Sequence, residues 1–460
     1  MVFNSVIFFI TFIFMAFLYH LAPRFIKLII LALFNIYFYI FAMGNKFYMI
    51  IITSLIVYLM GILIETLKNK KVSSIFLFMF LSGLILSLIY FKYYNFIRLN
   101  TKAFLTLPEK SIIAPIGISF YTLQAISYLV DIYKGRLRAE KNPIIFFNYI
   151  CFFGTILSGP IERAEKFIPQ VRNLKPFSLE GSFEALGIIL WGLFKKVVIA
   201  DRLGRYVDVI YGNPYGYSSL PVFLAFLLYA LQLYADFSGY SSMALGFSKI
   251  LGIDIINNFN FPYFSKSVRE FWKRWHISLS SFFRDYVYIP LGGNRGGELK
   301  KYRNNLIVFL LSGIWHGANW TFIFWGVLHG LYIITENILD KAFNYSKKIS
   351  SLIRIIITYI LVNFAWVFFR ADSIRQGLHL IKASTWREPN TITSILSIIN
   401  INQFILVLVL IFLMFLYEYL LFKEYDVKIP AIRVFAYIIM LTGIVLLGEA
   451  SQSQFIYFKF

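Results

Sequence analysis

Long apolar runs, each closed by a short polar or basic stretch, follow one another along almost the whole chain. A helical membrane crossing needs about 20 apolar residues at a rise of roughly 1.5 Å each. That rule picks out residues 6–21, 25–43, 47–64 and 74–97, then 112–133, 143–157, 183–200 and 222–245. It ends with 306–331, 352–369, 404–421 and 434–447. The pattern predicts an all-α polytopic membrane protein with about 11–12 membrane segments. Pro115 and Gly117 interrupt the start of 112–133, which marks that segment as a re-entrant candidate. No internal repeat suggests the inverted halves of a transporter.

Residues 261–303 break the rhythm. They are too polar to span, yet rich in aromatics: Phe271, Trp272, Trp275, Phe282, Phe283, Tyr286 and Tyr288. Trp272, Trp275, His276 and Leu279 recur at helical spacing, so the pattern predicts one amphipathic helix lying in the membrane interface. The loop 292–297 and Lys300, Lys301 and Arg303 follow, on the cytoplasmic side by their charge.

Composition supports the bilayer as solvent. The chain has 460 residues, 59% hydrophobic and 15% charged, where an ordinary soluble domain carries about 25% charged residues. Mean hydropathy is +0.70. The net charge of +21 would suggest nucleic acid in a soluble protein. Here the basic residues sit in short segments between apolar runs, as anionic lipid and the positive-inside rule favour, and this argues against nucleic-acid binding. Residues 1–5 carry no lysine or arginine, whereas Arg24, Lys27, Lys68, Lys70 and Lys71 follow the first and third runs. The expected orientation puts the N-terminus outside and, with twelve crossings, the C-terminus outside too. The N-terminus lacks a basic n-region and a small-residue cleavage site, so its first run reads as a retained span. The single cysteine, Cys151, excludes an internal disulfide and argues against a thiolate metal cage.

Candidate chemistry centres on five histidines, His20, His276, His316, His329 and His379. His316 lies inside an apolar run, flanked by Gly313 and Gly317, and an ionisable group at membrane depth is costly unless used. It is either a general base or a neutral histidine bonded to a backbone carbonyl. His276 is either a second polar catalytic group or a packing residue. His329, thirteen residues beyond His316, would lie about 20 Å away along one continuous helix and reads as structural. Asp236 either orients a base, relays a proton or pairs with an arginine, or it marks a helix break at Ser238-Gly239. Metal-ligand spacing, a Walker A loop and a nucleophile elbow are all missing, so no metal site is expected. Gly292-Gly-Asn-Arg-Gly-Gly297 is a weak phosphate-loop signal beside the plain reading as a turn.

Six motifs then occur in order: Ser158-Gly-Pro-Ile-Glu-Arg163, Asp236-Phe-Ser-Gly-Tyr240, Glu270-Phe-Trp-Lys-Arg-Trp-His-Ile-Ser-Leu279, Phe283-Arg-Asp-Tyr286, Ile289-Pro-Leu-Gly-Gly-Asn-Arg295 and Ser312-Gly-Ile-Trp-His-Gly317. In this order they resemble the membrane-bound O-acyltransferase (MBOAT) family, most closely its bacterial branch for O-acetylation of alginate, peptidoglycan and cellulose. The strong motifs cover residues 110–335. Phe153-Gly154-Thr155 and Ser242 depart from the family's usual residues.

The resemblance implies a single membrane domain over 1–460. N-terminal spans would occupy 1–110 and a catalytic core 111–335, with its interfacial segment at 261–303. C-terminal spans and an aromatic tail would follow at 336–460. Segments would surround a central funnel or tunnel with re-entrant and interfacial helices. His316 matches the family's catalytic histidine and His276 its second polar position. Acetyl-CoA is the implied donor, with Arg269, Lys273, Arg274 and Arg295 as candidates for its phosphates. Tyr457 in the tail is either an acyl acceptor or an interfacial anchor. The implied activity is transfer of an acyl, most simply acetyl, group from cytoplasmic acyl-CoA to an extracytoplasmic acceptor for polysaccharide O-acetylation. A separate extracytoplasmic O-acetyltransferase would finish the task, and the setting is the bacterial cytoplasmic (inner) membrane. The alternatives are a teichoic-acid-type D-alanyl transferase and a proton-coupled transporter.

Overall fold

A computed structural model describes residues 3–156, 159–386, 392–396, 398–423 and 430–449; among them there are helices and no strand. Among the described residues seven helices are long and apolar enough to cross a membrane, and Val6–Leu21, Pro143–Ile156 and Arg433–Leu447 are shorter apolar stretches. The chain is a multi-pass membrane protein. Its outer helices keep apolar side chains exposed: Phe14 and Phe17 of Val6–Leu21 are 63% and 61% exposed, which only lipid tolerates.

The described residues divide into two compact units, Met1–Ile189 with Ser241–Asn257, and Leu190–Tyr240 with Asn258–Phe460. In the first, Val6–Leu21, Arg24–Met43 and Tyr48–Thr66 follow closely on one another. Ser5 caps the first helix by accepting from the Phe8 amide. Phe8, Phe12, Phe34, Phe153 and Phe247 form a ring cluster, Phe8 and Phe247 meeting at 4.8 Å between centroids. Buried amides bond one another there: Asn35 Nδ2 donates to Asn148 Oδ1 at 3.0 Å, and Asn35 Oδ1 accepts from the Phe153 amide. Gly117 (φ +77°) precedes the helix Ile118–Tyr133, so the expected 112–133 segment is helical only from 118. Glu162, in the Gly-Pro-Ile-Glu-Arg motif, accepts from the Ile256 amide at 2.5 Å and so ties two loops.

The second unit contains the corrections. The run 306–331 is not one span. Glu298–His316 ends at Gly317, whose backbone is extended, and Asn319 accepts from the Thr321 amide to start Trp320–Phe343. The two helices form an antiparallel hairpin at very close approach. A Cβ on Gly313 would stand 2.3 Å from the Phe322 carbonyl oxygen, and one on Gly326 2.3 Å from that of Phe309. Glycine at both positions permits the contact.

The predicted single interfacial helix is also broken. Val268–Arg274 stops at Trp275, and Ile277–Phe283 begins after His276, which sits in the left-handed region at φ +45°. For a non-glycine residue that conformation costs about 1–2 kcal/mol. Asn258 offsets it: its carbonyl accepts from the Ile277 amide at 3.0 Å and its Oδ1 from the Ser278 amide at 3.1 Å. Trp272, Trp275, His276 and Leu279 are all buried, so the aromatic face packs into the unit's core instead of lying in lipid.

Asp236 does not mark a break. Ser219–Ile250 runs on through Ser238 and Gly239, and Gly239 leaves room for the π-helical turn Phe194–Ala200, with a Cβ there 2.8 Å from the Gly192 carbonyl. Lys196 of that turn bonds Asp236 at 2.7 Å and Asp201 at 2.8 Å, all three buried.

Candidate active site

His316 is the last residue of Glu298–His316 and is 4% exposed. Its imidazole meets Trp325 edge-on (5.0 Å, 89°), Phe369 (5.2 Å) and its neighbour Trp315 (5.1 Å). His276, fully buried, lies 4.8 Å from the Phe237 ring and 6.1 Å from Trp315. The two candidate histidines therefore border the same indole. Burial pushes the His276 imidazole down to about 3, so it is neutral at physiological pH. A neutral imidazole donates from one nitrogen and accepts at the other, which suits orienting a substrate group.

His329 is nearer His316 than one rod would allow, because the helix turns back at 317–319. It packs on the other contact of Trp325 (4.9 Å). Its Nδ1 accepts from the Trp272 indole at 3.2 Å, and the rings stand at 88°.

A cavity of about 480 Å³ opens beside these rings. Trp272 and Ser312 lie on its wall, Ser312 one turn before His316 on the same helix; His316 itself is not on the wall. Four cations line it: Arg269, Lys273, Arg284 and Lys301. Arg284 pairs with Asp285 (2.8 Å) and Lys301 with Glu298 (3.4 Å). Arg269 and Lys273 have no carboxylate ion pair among the described residues, and they sit one turn apart on Val268–Arg274. That helix is held by Glu336, whose carboxylate accepts from the Val268 amide at 2.7 Å and the Arg269 amide at 3.3 Å.

Of the other residues expected at the donor, Arg274 is turned to Glu270 (2.8 Å), the Asn260 carbonyl and the Phe422 ring. Arg295 is not on the cavity wall. Its loop is pinned by Asn304, which donates to the Leu291 and Gly293 carbonyls. Tyr457 lies outside the described residues. Sequence reasoning missed Arg284, Lys301, Asn258 and Glu336. Arg284 falls in the motif Phe283-Arg-Asp-Tyr286, Lys301 in a basic stretch, and Glu336 is a carboxylate beside an apolar run; Asn258 left no signal.

Known proteins are similar in sequence to more than half of this chain. The probable alginate O-acetylase AlgI of Pseudomonas aeruginosa is 40% identical over 60% of this chain and 53% of its own length. The peptidoglycan O-acetyltransferase of Helicobacter pylori is 39% identical over 59% of this chain and 56% of its own. The teichoic acid D-alanyltransferase of Bacillus subtilis is 28% identical over 57% of this chain and 70% of its own. The chain thus spans little more than half the length of the first two relatives. A family model described as MBOAT, membrane-bound O-acyltransferase family, matches residues 136–374, more than half of the chain and all of the histidine and cavity elements above. The chain belongs to the membrane-bound O-acyltransferase family.

Proposed function

We propose that the protein transfers an acetyl group from cytoplasmic acetyl-CoA to a hydroxyl acceptor beyond the membrane, for O-acetylation of a cell-surface or exported polysaccharide. The observation that carries this reading is the buried His316 one turn from Ser312, on the wall of a cavity that also bears Arg269 and Lys273. The two cations hold the donor's phosphates. His316 takes the proton of the attacking hydroxyl as its oxygen bonds the thioester carbonyl carbon. The carbon–sulfur bond breaks, and the departing thiolate takes that proton. Neutral His276 orients the hydroxyl or the carbonyl. General-base assistance of this kind contributes about 10²–10⁴ in rate, and holding both reactants adds orientation.

Relatives named for O-acetylation are 39–40% identical, against 28% for a D-alanyl transferase, which favours acetyl over D-alanyl as the cargo. Asp236, expected as the proton path of a transporter, is instead committed to Lys196. In this reading the protein resides in a bacterial cytoplasmic membrane with its N-terminus outside. It hands the group to Tyr457 or directly to a separate extracytoplasmic transferase. Membranes given radiolabelled acetyl-CoA test the whole scheme. Transfer to polymer in His316→Ala and His316→Gln at wild-type level, in protein that folds, would sink it. Loss of protein-bound label in Tyr457→Phe would identify the carrier.

A further inference from the structure

His329 lies within the unit's aromatic core and reaches the cavity wall through Trp272, by a hydrogen bond, and through the Phe309 ring (6.1 Å). Its ring is fully buried. The Trp272 indole N–H donates to Nδ1, which leaves the imidazole's proton on Nε2. His329 also packs on Trp325, and Trp325 meets both Trp272 (5.5 Å, 74°) and His316 (5.0 Å). Trp272 thus belongs both to the cavity wall and, through Trp325, to the rings around His316; Phe309, also on the wall, packs on Trp272 (5.3 Å) and His329 (6.1 Å). Nothing else in the hydrogen-bond pattern fixes its indole: within its own helix the contacts are ring contacts, such as Phe271 at 5.6 Å.

We infer that His329 is a positioning residue: by accepting from Trp272 it fixes an indole that stands both on the cavity wall and against Trp325, the ring that meets His316, and so sets the shape of the wall beside Ser312. The inference rests on the active-site reading above. A buried indole N–H deprived of its acceptor loses a hydrogen bond that cannot be replaced by water, so it turns toward any acceptor within reach. In this core, that movement narrows or re-aims the inner end of the cavity. Asparagine at 329 places an amide oxygen near the position of Nδ1, whereas leucine fills space without an acceptor.

The experiment has two arms. In a Cys151→Ser background, Ser312→Cys is labelled with a small polar thiol reagent, with residue 329 as His, Asn or Leu. The expected result is a labelling rate changed about tenfold by His329→Leu, the scale of one buried hydrogen bond, and restored by His329→Asn. Trp272→Phe should change the rate as His329→Leu does, and the double variant should add nothing. In the second arm, acetyl transfer with Ser312 intact should show kcat following the same order while KM for acetyl-CoA stays near wild type. Each variant is compared at matched folded amounts, judged by monodisperse elution and melting temperature. Equal labelling in His329→Leu and wild type overturns the inference, and so does failure of His329→Asn to restore it. If wild type itself transfers no acetyl group, the functional reading fails while the labelling arm still decides the role of His329.

Discussion

His276 and His316 approach the same indole, Trp315, with ring centroids at 6.1 Å and 5.1 Å, although they stand forty positions apart in the chain. Each histidine stands at a helix end. One break turns His276 out of the helical path at Trp275, and the other ends the helix of His316 at Gly317.

Burial makes His276 a source of acid sensitivity. Its folded value of about 3 lies below the ordinary 6.5, so the unfolded chain binds a proton that the folded one refuses. Above about pH 6.5 the group contributes nothing to the pH dependence. Stability then falls by about 1.4 kcal/mol per pH unit as the pH drops from about 6.5 toward 3. Melting temperatures in detergent between pH 7 and pH 4 should decline less in His276→Gln than in wild type. An equal decline would remove His276 as the cause.

The two cations proposed to hold the donor separate from their neighbour. Arg269→Gln and Lys273→Gln should each raise KM for acetyl-CoA about tenfold, as expected for losing a charge-assisted bond to phosphate. The difference should shrink as salt is added. Arg274→Gln should leave KM unchanged and lower stability by about 1 kcal/mol, because its contacts are Glu270 and the Phe422 ring. Initial rates over a range of donor concentration, with a melting curve for each variant, make the comparison.

Lys196 is the ammonium shared by Asp201 and Asp236. Lys196→Met removes it from two buried carboxylates and should cost about 3–5 kcal/mol. Lys196→Met with Asp236→Asn should recover part of that loss. The yield of monodisperse protein and its melting temperature report both effects.

Gly326→Ala should separate the helix hairpin, since the added methyl would stand 2.3 Å from the Phe309 carbonyl oxygen. A loss of about 1–3 kcal/mol is expected, the usual cost of overpacking. Acetyl transfer should fall further than stability does, because His316 and Trp325 belong to opposite arms of that hairpin. A variant with normal melting and normal turnover would show that the helices relax freely.

Most spans were legible because their ends carry local signals. Arg24–Met43, Tyr48–Thr66, Ser351–Arg370 and Ile401–Phe422 lie within a few residues of the apolar runs that predict them. The hairpin turn was written in Gly317-Ala318-Asn319 but masked by the apolar residues on either side. The break at His276 left no local trace, since the spacing of Trp272, Trp275, His276 and Leu279 fits an unbroken helix. What sets it is Asn258, a partner distant in sequence. The same reason hid His329: its bond to Trp272 exists only once both breaks have formed. Arg269 and Lys273, singled out by motif, line the cavity, whereas the absence of Arg274 from its wall depends on which face Glu270 occupies.

The left-handed backbone at His276 has a bearing on how the protein would respond to selection in the laboratory. Glycine or asparagine would sit at that φ with less strain than an imidazole. A screen for thermal robustness alone should therefore drift toward those residues at 276, and a screen for product should drift back. In the proposed reading the position sets durability against turnover, and the direction of drift under each pressure would reveal which of the two the histidine serves.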